Sequence, residues 1–392
     1  MTTHAGDPSK PRGWAVPMRP RSPAESHRAS TPLELLFDLV FVVAVAQAAA
    51  ALHHGIAENH ALQALGHFCQ VFFAIWWAWM NFTWFASAYD TDDVPYRLAV
   101  FVQLSGALII AAGIQSAFAG DFLIVVVGYV VMRLGLVSQW LRASRADPAH
   151  RVATRRYATG LGAVQLGWIG LLAVPAAWQT IGFVTLVLIE LAIPIWAEQI
   201  EMTSWHPGHI AERYGLFTII VLGESILSAS LAIQQALAAG ELRVSMAPII
   251  AGGLLIVFFM WWLYFDEPIE DRLTSRRAAF LWGYGHLFIF GAAASVGAGL
   301  AAAVDIATGH AQIGRLGGGF AVALPVALYL LCLWALHRRH DSERGASRFF
   351  CPVAALLIAL TPLTGQAILL SGLLLAGLQA LLLVWRQRAK PL

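Results

Sequence analysis

Long apolar runs, separated by short polar segments, recur along the chain from Pro32 to Trp385. A run of about 18 or more apolar residues predicts a membrane-spanning helix, because a helix satisfies its own backbone hydrogen bonds in hydrocarbon. The pattern therefore predicts an all-α, polytopic integral membrane protein with about twelve transmembrane helices in contact with the lipid bilayer. The predicted spans are residues 32–52, 62–88, 98–117, 122–141, 157–177, 181–197, 213–236, 246–265, 278–304, 317–337, 349–363 and 367–385.

The composition supports a membrane protein. Of the 392 residues, 58% are hydrophobic and 12% are charged, whereas roughly one quarter of the residues of a soluble globular protein are charged. The three cysteines, Cys69, Cys332 and Cys351, are far apart and lack the spacing of a metal site or a disulfide framework. We therefore predict neither a metal nor a cofactor.

A polar segment precedes the first apolar run. It contains Lys10, Arg12, Arg19 and several prolines, but not the apolar core or the cleavage site of a secretory signal. Because such a composition buries too little apolar surface to fold alone, we predict a disordered cytoplasmic tail over residues 1–30.

Arginine is distributed unevenly between the predicted loops. The loops at 142–156, 272–277 and 338–348 are rich in arginine, whereas the loops on the other side contain only Arg243 and Arg315. Cytoplasmic loops of membrane proteins carry an excess of Lys and Arg, so these three loops and both termini are predicted to be cytoplasmic. The net charge of +2 comes mainly from these loops and gives no reason to expect nucleic acid as a partner.

Two aromatic blocks suggest an internal repeat. The sequence VFFAIWW at Val71–Trp77 is similar to VFFMWW at Val257–Trp262, and an acidic loop containing proline follows each block. Apolar segments starting at Phe37 and Phe217 precede them by similar distances. These matches predict two parallel six-helix repeats, with a chance similarity of aromatic-rich helices as the alternative. The predicted organisation is a tail at 1–30, a first repeat at 31–200, a second repeat at 201–388 and a C-terminal tail at 389–392.

Charged residues inside predicted spans are candidates for function, because a charge at the bilayer centre costs on the order of 3 kcal/mol. Thr31 and Glu34 match a helix cap and its capping-box glutamate at the start of span one. Asp38, Arg133 and Glu190 lie at similar depths by helical rise. We predict an ion-paired cluster of these three residues, either in a permeation path or as a salt bridge that fixes helix packing.

Two further polar residues lie deep in predicted spans. Glu224 follows Gly223 near the middle of span seven, and we expect Glu224, like Asp38, to face the protein interior. His286 in span nine is a candidate proton relay or haem ligand, with a packing role as the alternative. A bis-histidine site would need His67, the only comparable residue in another span.

Two aromatic clusters occur near the predicted cytoplasmic ends of spans two and eight. Tryptophan is enriched at membrane interfaces, so anchoring at the interface is the expected role, and the polar residue that follows each cluster is expected to cap or gate that end. The clusters are Trp76, Trp77 and Asn81 in span two, and Trp261, Trp262 and Asp266 in span eight.

Several blocks of the chain resemble the signatures of one family. The blocks at Thr31–Gln47, Trp76–Arg97 and His209–Leu227, together with WWLYFD from Trp261, are similar in sequence and order to the bacterial low temperature requirement A family. The resemblance implies an integral protein of the bacterial cytoplasmic (inner) membrane with a role in growth under cold stress. That family has no established biochemical activity.

A second resemblance concerns span one. The segment from Phe37 to Ala44 resembles the Phe-Ser-Asp signature helix of endolysosomal and prokaryotic potassium channels, which include a two-repeat, twelve-helix form that dimerises around a pore. The resemblance implies a cation path and a homodimer. Three positions depart from the signature: Phe37 replaces the serine, Pro32 replaces the preceding arginine, and Thr218 stands where span seven would carry the second aspartate.

These observations support three functional hypotheses. The leading one is a channel or transporter for a small cation or proton, because the acidic residues Asp38, Glu190 and Glu224 outnumber Arg133 inside the spans. The second is a non-transporting membrane protein that supports envelope integrity in the cold. The third, an integral-membrane enzyme, is disfavoured because the chain has no HExxH motif, histidine-rich box or phosphate-binding glycine loop.

Overall fold

The protein is a bundle of α-helices in the part of the chain that the computed structural model describes, residues 14–22, 25, 28–241, 243–266, 269–270, 273, 275–338 and 346–389. No strand occurs in these residues, which confirms the predicted all-α membrane fold. The helices are α1 (Pro32–Ala57), α2 (Ala61–Tyr89), α3 (Val94–Phe118), α4 (Leu123–Ala146), α5 (Arg151–Leu171), α6 (Ala176–Ala197), α7 (Pro207–Ala238), α8 (Ala247–Phe265), α9 (Arg276–Thr308), α10 (Arg315–Leu333), α11 (Phe350–Leu360) and α12 (Ala367–Ala389).

Within the described residues, 11 helices are long and apolar enough to cross a membrane. The remaining helix, α5, carries three arginines in its first two turns, which lowers its mean hydropathy below that of its neighbours. It begins and ends six residues before the predicted span at 157–177. In the last pair, α11 is extended by short helical turns into an 18-residue stretch, Ser347–Thr364, that is long enough to span.

The helices of the two halves have similar neighbours along the chain. In the first half α1 packs on α3, α3 on α4, and α4 on α5; in the second, α7 packs on α9, α9 on α10, and α10 on α11. One contact differs, since α8 packs extensively on α12 whereas α2 has no comparable packing on α6. The predicted parallel repeat is consistent with this order and stays a prediction.

The position of α2 differs from that of α8. Helix α2 contacts α1, α3, α4, α7 and α9, and its tryptophans Trp76, Trp77 and Trp79 are fully buried. In α8, by contrast, Trp261 and Trp262 are 47% and 42% exposed on the outer surface of the bundle. Helix α2 therefore lies at the centre of the protein, and α8 lies at its edge.

The segment before α1 packs against the bundle. The backbone amide of Val16 donates to the Asp93 carboxylate at 2.8 Å, Met18 is fully buried, and Arg28 is 4% exposed. Arg28 donates to the carbonyls of Ala86 and Ser87, which close the last turn of α2. The prediction of a disordered tail is therefore wrong for residues 14–22, 25 and 28–30. Residues 1–13, 23–24 and 26–27 lie outside the described part of the chain.

Candidate functional site

Glu190 on α6 is one of the fully enclosed carboxylates in the first half of the bundle. Its side chain is fully buried. Oε1 accepts hydrogen bonds from the Tyr129 hydroxyl at 2.9 Å and from Trp168 Nε1 at 3.0 Å, and Oε2 accepts one from Trp77 Nε1 at 2.7 Å. Three neutral donors from α2, α4 and α5 thus converge on one acid.

Arg133 on α4 supplies the counter-charge. Its Nη2 atom lies 3.4 Å from Glu190 Oε2 and 2.5 Å from the Tyr129 hydroxyl, to which it donates. The guanidinium also lies over the Tyr129 ring, 4.7 Å from its centroid. The predicted proximity of Arg133 and Glu190 is therefore observed, although the single contact at 3.4 Å is long for a charge-assisted hydrogen bond.

The helix that carries Glu190 is held on one narrow face. Only Glu190, Ile193, Pro194 and Ala197 of α6 are buried, at the spacing of a single helical stripe. Pro194 has no backbone N–H, so the carbonyl of Glu190 lacks its usual helical donor. Tyr284 of α9 donates instead to the next carbonyl, that of Leu191, at 3.0 Å. The backbone of α6 therefore lacks one helical hydrogen bond beside the acid.

A cavity of about 150 Å³ lies on one side of Glu190 and is named the outer cavity here. It opens at the face of the bundle that carries the α3–α4 and α5–α6 turns, where Asp121 and Leu172 are exposed. Its inner wall includes Tyr129 and Trp168, the same two residues that donate to Glu190 Oε1. One hydrogen bond thus separates the cavity lining from the carboxylate.

A smaller cavity of about 30 Å³ lies on the other side, towards the face at which α1 begins, and is named the inner cavity. Its lining includes Asn81, Tyr284, Glu198 and Arg276. The pKa of Glu198 is raised by burial, although hydrogen bonds from Thr203 and Tyr157 oppose the shift. Such a volume has room for about two water molecules.

Trp77 connects Glu190 to both cavities. Its ring stacks on Phe73, which lines the outer cavity, with centroids 6.1 Å apart. The same ring makes an edge contact with Tyr284, which lines the inner cavity, at 5.5 Å. The amide of Asn81 donates to the Trp77 carbonyl at 2.7 Å. Glu190 and Trp77 therefore form the partition between two cavities on opposite faces of the bundle.

Asp38 forms a separate ion pair that the sequence did not predict. Its Oδ1 atom accepts from Arg213 Nη2 of α7 at 2.6 Å and from Trp79 Nε1 of α2 at 2.7 Å, and all three residues are fully buried. The expected grouping of Asp38 with Arg133 and Glu190 is therefore wrong. The reason is that α7 begins at Pro207, six residues before the predicted start, which carries Arg213 into the bundle beside Asp38.

Glu34 extends this α1–α7 contact towards the start of the helices. It completes the predicted capping box with Thr31 and also lies 3.0 Å from His209 Nε2 of α7. The Arg28 guanidinium lies 3.1 Å from His209 and 3.8 Å from the Glu34 carboxylate. Burial lowers the pKa of this guanidinium. Thr31 thus has the expected capping role, while Glu34 has a second role between the two halves.

Glu224 does not face the protein interior, contrary to the prediction. Its side chain is partly exposed and accepts from Ser228 Oγ, one turn further along α7, at 3.0 Å. The neighbouring Gly223 is exposed, with open space where a side chain would lie. Helix α7 packs through the stripe of Phe217, Val221 and Ser225, and Glu224 lies at the edge of that stripe.

His286 is a packing residue within α9. Its Nδ1 atom is 2.7 Å from the Trp282 carbonyl and its Nε2 atom is 2.9 Å from the Tyr264 hydroxyl. Both ring nitrogens are thus engaged, which leaves neither for an axial haem bond. His67 packs edge-on against Phe118 and Phe122 near the start of α2. No group of residues able to hold a metal ion occurs in the part of the chain that is described.

One of the two aromatic clusters differs from the prediction. Trp76 and Trp77 are fully buried in the middle of α2, so they are not interfacial anchors, and Asn81 lines the inner cavity rather than capping the helix. Trp261 and Trp262 are exposed near the end of α8, as anchors would be. Asp266, at the C-cap of α8, accepts from Gln379 at 3.1 Å and Arg386 at 2.8 Å of α12.

Sequence comparisons place the chain among known proteins. The family model described as bacterial low temperature requirement A protein (LtrA) matches residues 29–386, from just before α1 to the last turn of α12. An uncharacterized protein of Rhizobium meliloti (strain 1021) is 30% identical over 313 residues, which cover 74% of this chain and 74% of that protein. No solved structure matches the chain significantly. The chain therefore belongs to the bacterial low temperature requirement A family of integral membrane proteins.

Proposed function

We propose that the protein transports a small cation or proton across the bacterial cytoplasmic membrane, with both termini in the cytoplasm, and that Glu190 is the acidic group that the transported ion meets. The observation that carries the proposal is the position of Glu190 between two cavities on opposite faces of the bundle. An acid buried among helices at membrane depth is a candidate for an ion or proton path.

The hydrogen bonds of Glu190 support access from both sides. Oε1 is held by Tyr129 and Trp168, which line the outer cavity, and Oε2 is held by Trp77, whose ring contacts Tyr284 of the inner cavity. A rearrangement of either set of donors would open the carboxylate to one cavity while the other set stays closed. Alternating access of this kind requires only local motion around a fixed site.

Helix α6 is the element best suited to that motion. Its contact with the bundle is a single stripe, and Pro194 removes a backbone hydrogen bond one turn from Glu190. Helices kink at proline because its ring clashes with the carbonyl four residues earlier and its nitrogen carries no hydrogen to donate. In this mechanism α6 bends at Pro194, and Tyr284 holds the carbonyl of Leu191 in the closed state.

Reconstitution of the purified protein in liposomes tests the proposal. Proton and potassium fluxes are measured with internal dyes under an imposed potential, and the native protein is expected to give flux above empty vesicles. Glu190→Gln alone would leave Arg133 without its counter-charge, so the informative variant is Glu190→Gln combined with Arg133→Met, which removes both charges of the pair. This variant is expected to fold. Its flux is expected to be at least about tenfold lower than that of the native protein, which corresponds to a barrier to ion passage that is about 1.4 kcal/mol higher.

Glu224→Gln is the matched control. It removes an acid from a different span, α7. That acid is partly exposed, and its hydrogen bond among the described residues comes from Ser228 of the same helix. Its flux is expected to equal that of the native protein. Equal flux from the native protein and the Glu190/Arg133 variant would contradict the proposal, and absence of flux from both would favour a non-transporting role in envelope integrity. No enzymatic activity is part of the proposal.

A further inference from the structure

The outer cavity is walled by aromatic rings. Tyr129, Trp168, Phe183 and Phe73 follow one another around it in edge-to-face contacts, with centroids 5.9, 5.4 and 6.3 Å apart along that order. Phe122 adds a fifth ring near the mouth. Aromatic faces carry negative electrostatic potential and attract cations that lie over them.

The polar groups of the outer cavity favour the same class of ligand. Among the described residues that line it, the one charged side chain is the carboxylate of Asp121 at the mouth. The side-chain oxygen of Gln70, also in the lining, is buried and has no hydrogen-bond partner among the described residues. Below the floor, the charge of Arg133 is offset by Glu190 at 3.4 Å. A ligand in this cavity would therefore meet π faces, one negative charge and an unused acceptor.

The size of the cavity restricts the ligand further. A protein cavity of about 150 Å³ accommodates a benzene-sized molecule, and the outer cavity has this volume. A hydrated metal ion gains little from an apolar aromatic wall, because aromatic side chains cannot replace its water ligands. A small organic ammonium ion has a low charge density and a greasy surface, and it fits both the volume and the rings.

We propose that the outer cavity binds a small organic ammonium ion, held by the rings of Phe122, Trp168 and Phe183 and drawn in by Asp121. This inference rests on the proposed function, because it names the class of cation that would reach Glu190 through Tyr129 and Trp168. Binding in detergent can be measured without any transport, so the two proposals can fail separately.

The test uses choline and its neutral isostere 3,3-dimethylbutan-1-ol as probes. Titration calorimetry of the purified full-length protein is expected to detect choline binding, with the neutral isostere at least about tenfold weaker, since a desolvated cation–π contact supplies about that factor. Asp121→Asn keeps an acceptor for the backbone amide of Leu123 and is expected to weaken choline binding about three- to tenfold.

A pair of phenylalanine variants provides the matched control. Phe122 and Phe118 both pack edge-on against His67 and are both partly buried, but only Phe122 is among the residues that line the outer cavity. Phe122→Leu is expected to weaken choline binding about three- to tenfold, and Phe118→Leu to leave it unchanged. Equal binding of choline and its isostere, absence of choline binding, or equal effects of the two variants would each overturn the inference. Choline binding without any Glu190-dependent flux of protons, potassium or choline would instead leave the site standing and refute the proposed transport through Glu190.

Discussion

The bundle contains two buried ion pairs that differ in their surroundings. Asp38 and Arg213 join α1 to α7 at 2.6 Å, and neither side chain lines the outer or the inner cavity. Glu190 and Arg133 are 3.4 Å apart. Tyr129 and Trp168, which donate to Glu190, line the outer cavity, and Trp77, which also donates to it, packs against Tyr284 of the inner cavity. Burial and charge pairing are common to both sites, so access to a cavity is the feature that separates a candidate transport site from a packing contact.

Both pairs depend on the same helix. Trp77 donates to Glu190 and Trp79 donates to Asp38, each at 2.7 Å, and both tryptophans belong to α2. Residues two positions apart in an α-helix point about 200° apart, so the two indoles extend to opposite sides of α2. The central helix thus anchors the contact between the halves on one side and the proposed transport site on the other.

The largest predicted effect concerns the tight pair. Arg213→Met leaves Asp38 buried without its cation, and loss of one partner of a buried pair typically costs about 3 to 5 kcal/mol. The variant is expected to show a strongly reduced melting temperature and expression level in detergent-solubilised preparations. Asp38→Asn combined with Arg213→Met removes both charges and is expected to recover most of that loss.

The same variants compare the two pairs directly. The Asp38/Arg213 double variant is expected to retain native flux in liposomes, whereas the Glu190/Arg133 double variant is expected to lose it. If the Asp38/Arg213 variant were stable and yet lost flux, the α1–α7 contact would be part of the path and the distinction between the pairs would be wrong.

The next effect uses the two tryptophans of α2. Trp77→Phe and Trp79→Phe each remove one hydrogen bond to a carboxylate, and a hydrogen bond to a charged group contributes about 1.5 to 3 kcal/mol. Both variants are expected to lower the free energy of unfolding by that amount, but only Trp77→Phe is expected to change flux. Trp262→Phe, on the exposed surface of α8, should stay within about 0.5 kcal/mol of the native protein. Equal flux changes in Trp77→Phe and Trp79→Phe would refute the assignment of separate roles.

The sequence was sufficient for the membrane fold and for the pairing of Arg133 with Glu190. Apolar run length identifies helices that must cross a membrane, and helical rise places residues at comparable depth. The Asp38–Arg213 pair was missed because the predicted seventh span began at Arg213. A signal was present: Asp38 and Arg213 each lie six residues after the proline that starts their helix, Pro32 and Pro207.

The cavities and the burial of the tryptophans could not be predicted in the same way. The blocks VFFAIWW and VFFMWW are nearly alike, yet the first is buried in α2, whereas Phe258, Trp261 and Trp262 of the second are exposed on α8. Which helix lies at the centre depends on contacts between distant parts of the chain, and the local sequence pattern does not predict those contacts. For the same reason Tyr129 and Trp168 were not recognised, since ordinary aromatic residues in apolar helices become ligands of Glu190 only through packing.

The smallest predicted effect concerns Asp93, a third carboxylate, which lies outside the spans at the face where α1 begins and pairs with Arg142 near the end of α4. Burial opposes ionisation, but hydrogen bonds from Arg142 and from the amides of Val16 and Tyr96 outweigh it and lower the pKa of Asp93. A lowered pKa in the folded state adds stability above the ordinary pKa of about 4, and this stability is lost as the pH falls through the folded value.

Asp93→Asn keeps one accepting oxygen as the N-cap of α3 and removes the charge and the second acceptor. Because Arg142 stays partly exposed, the expected loss at pH 7 is about 1 kcal/mol, smaller than for the fully buried pairs. Melting temperatures between pH 3 and pH 7 should converge for the native protein and the variant as the pH falls, because protonation removes the same contact. Asp121→Asn, at an exposed helix start with no ion pair among the described contacts, should keep a constant offset from the native curve. If the Asp93→Asn and native curves also stayed parallel down to pH 3, the ion pair would contribute nothing, and the N-terminal segment would be held by its other contacts, such as those of Met18 and Arg28.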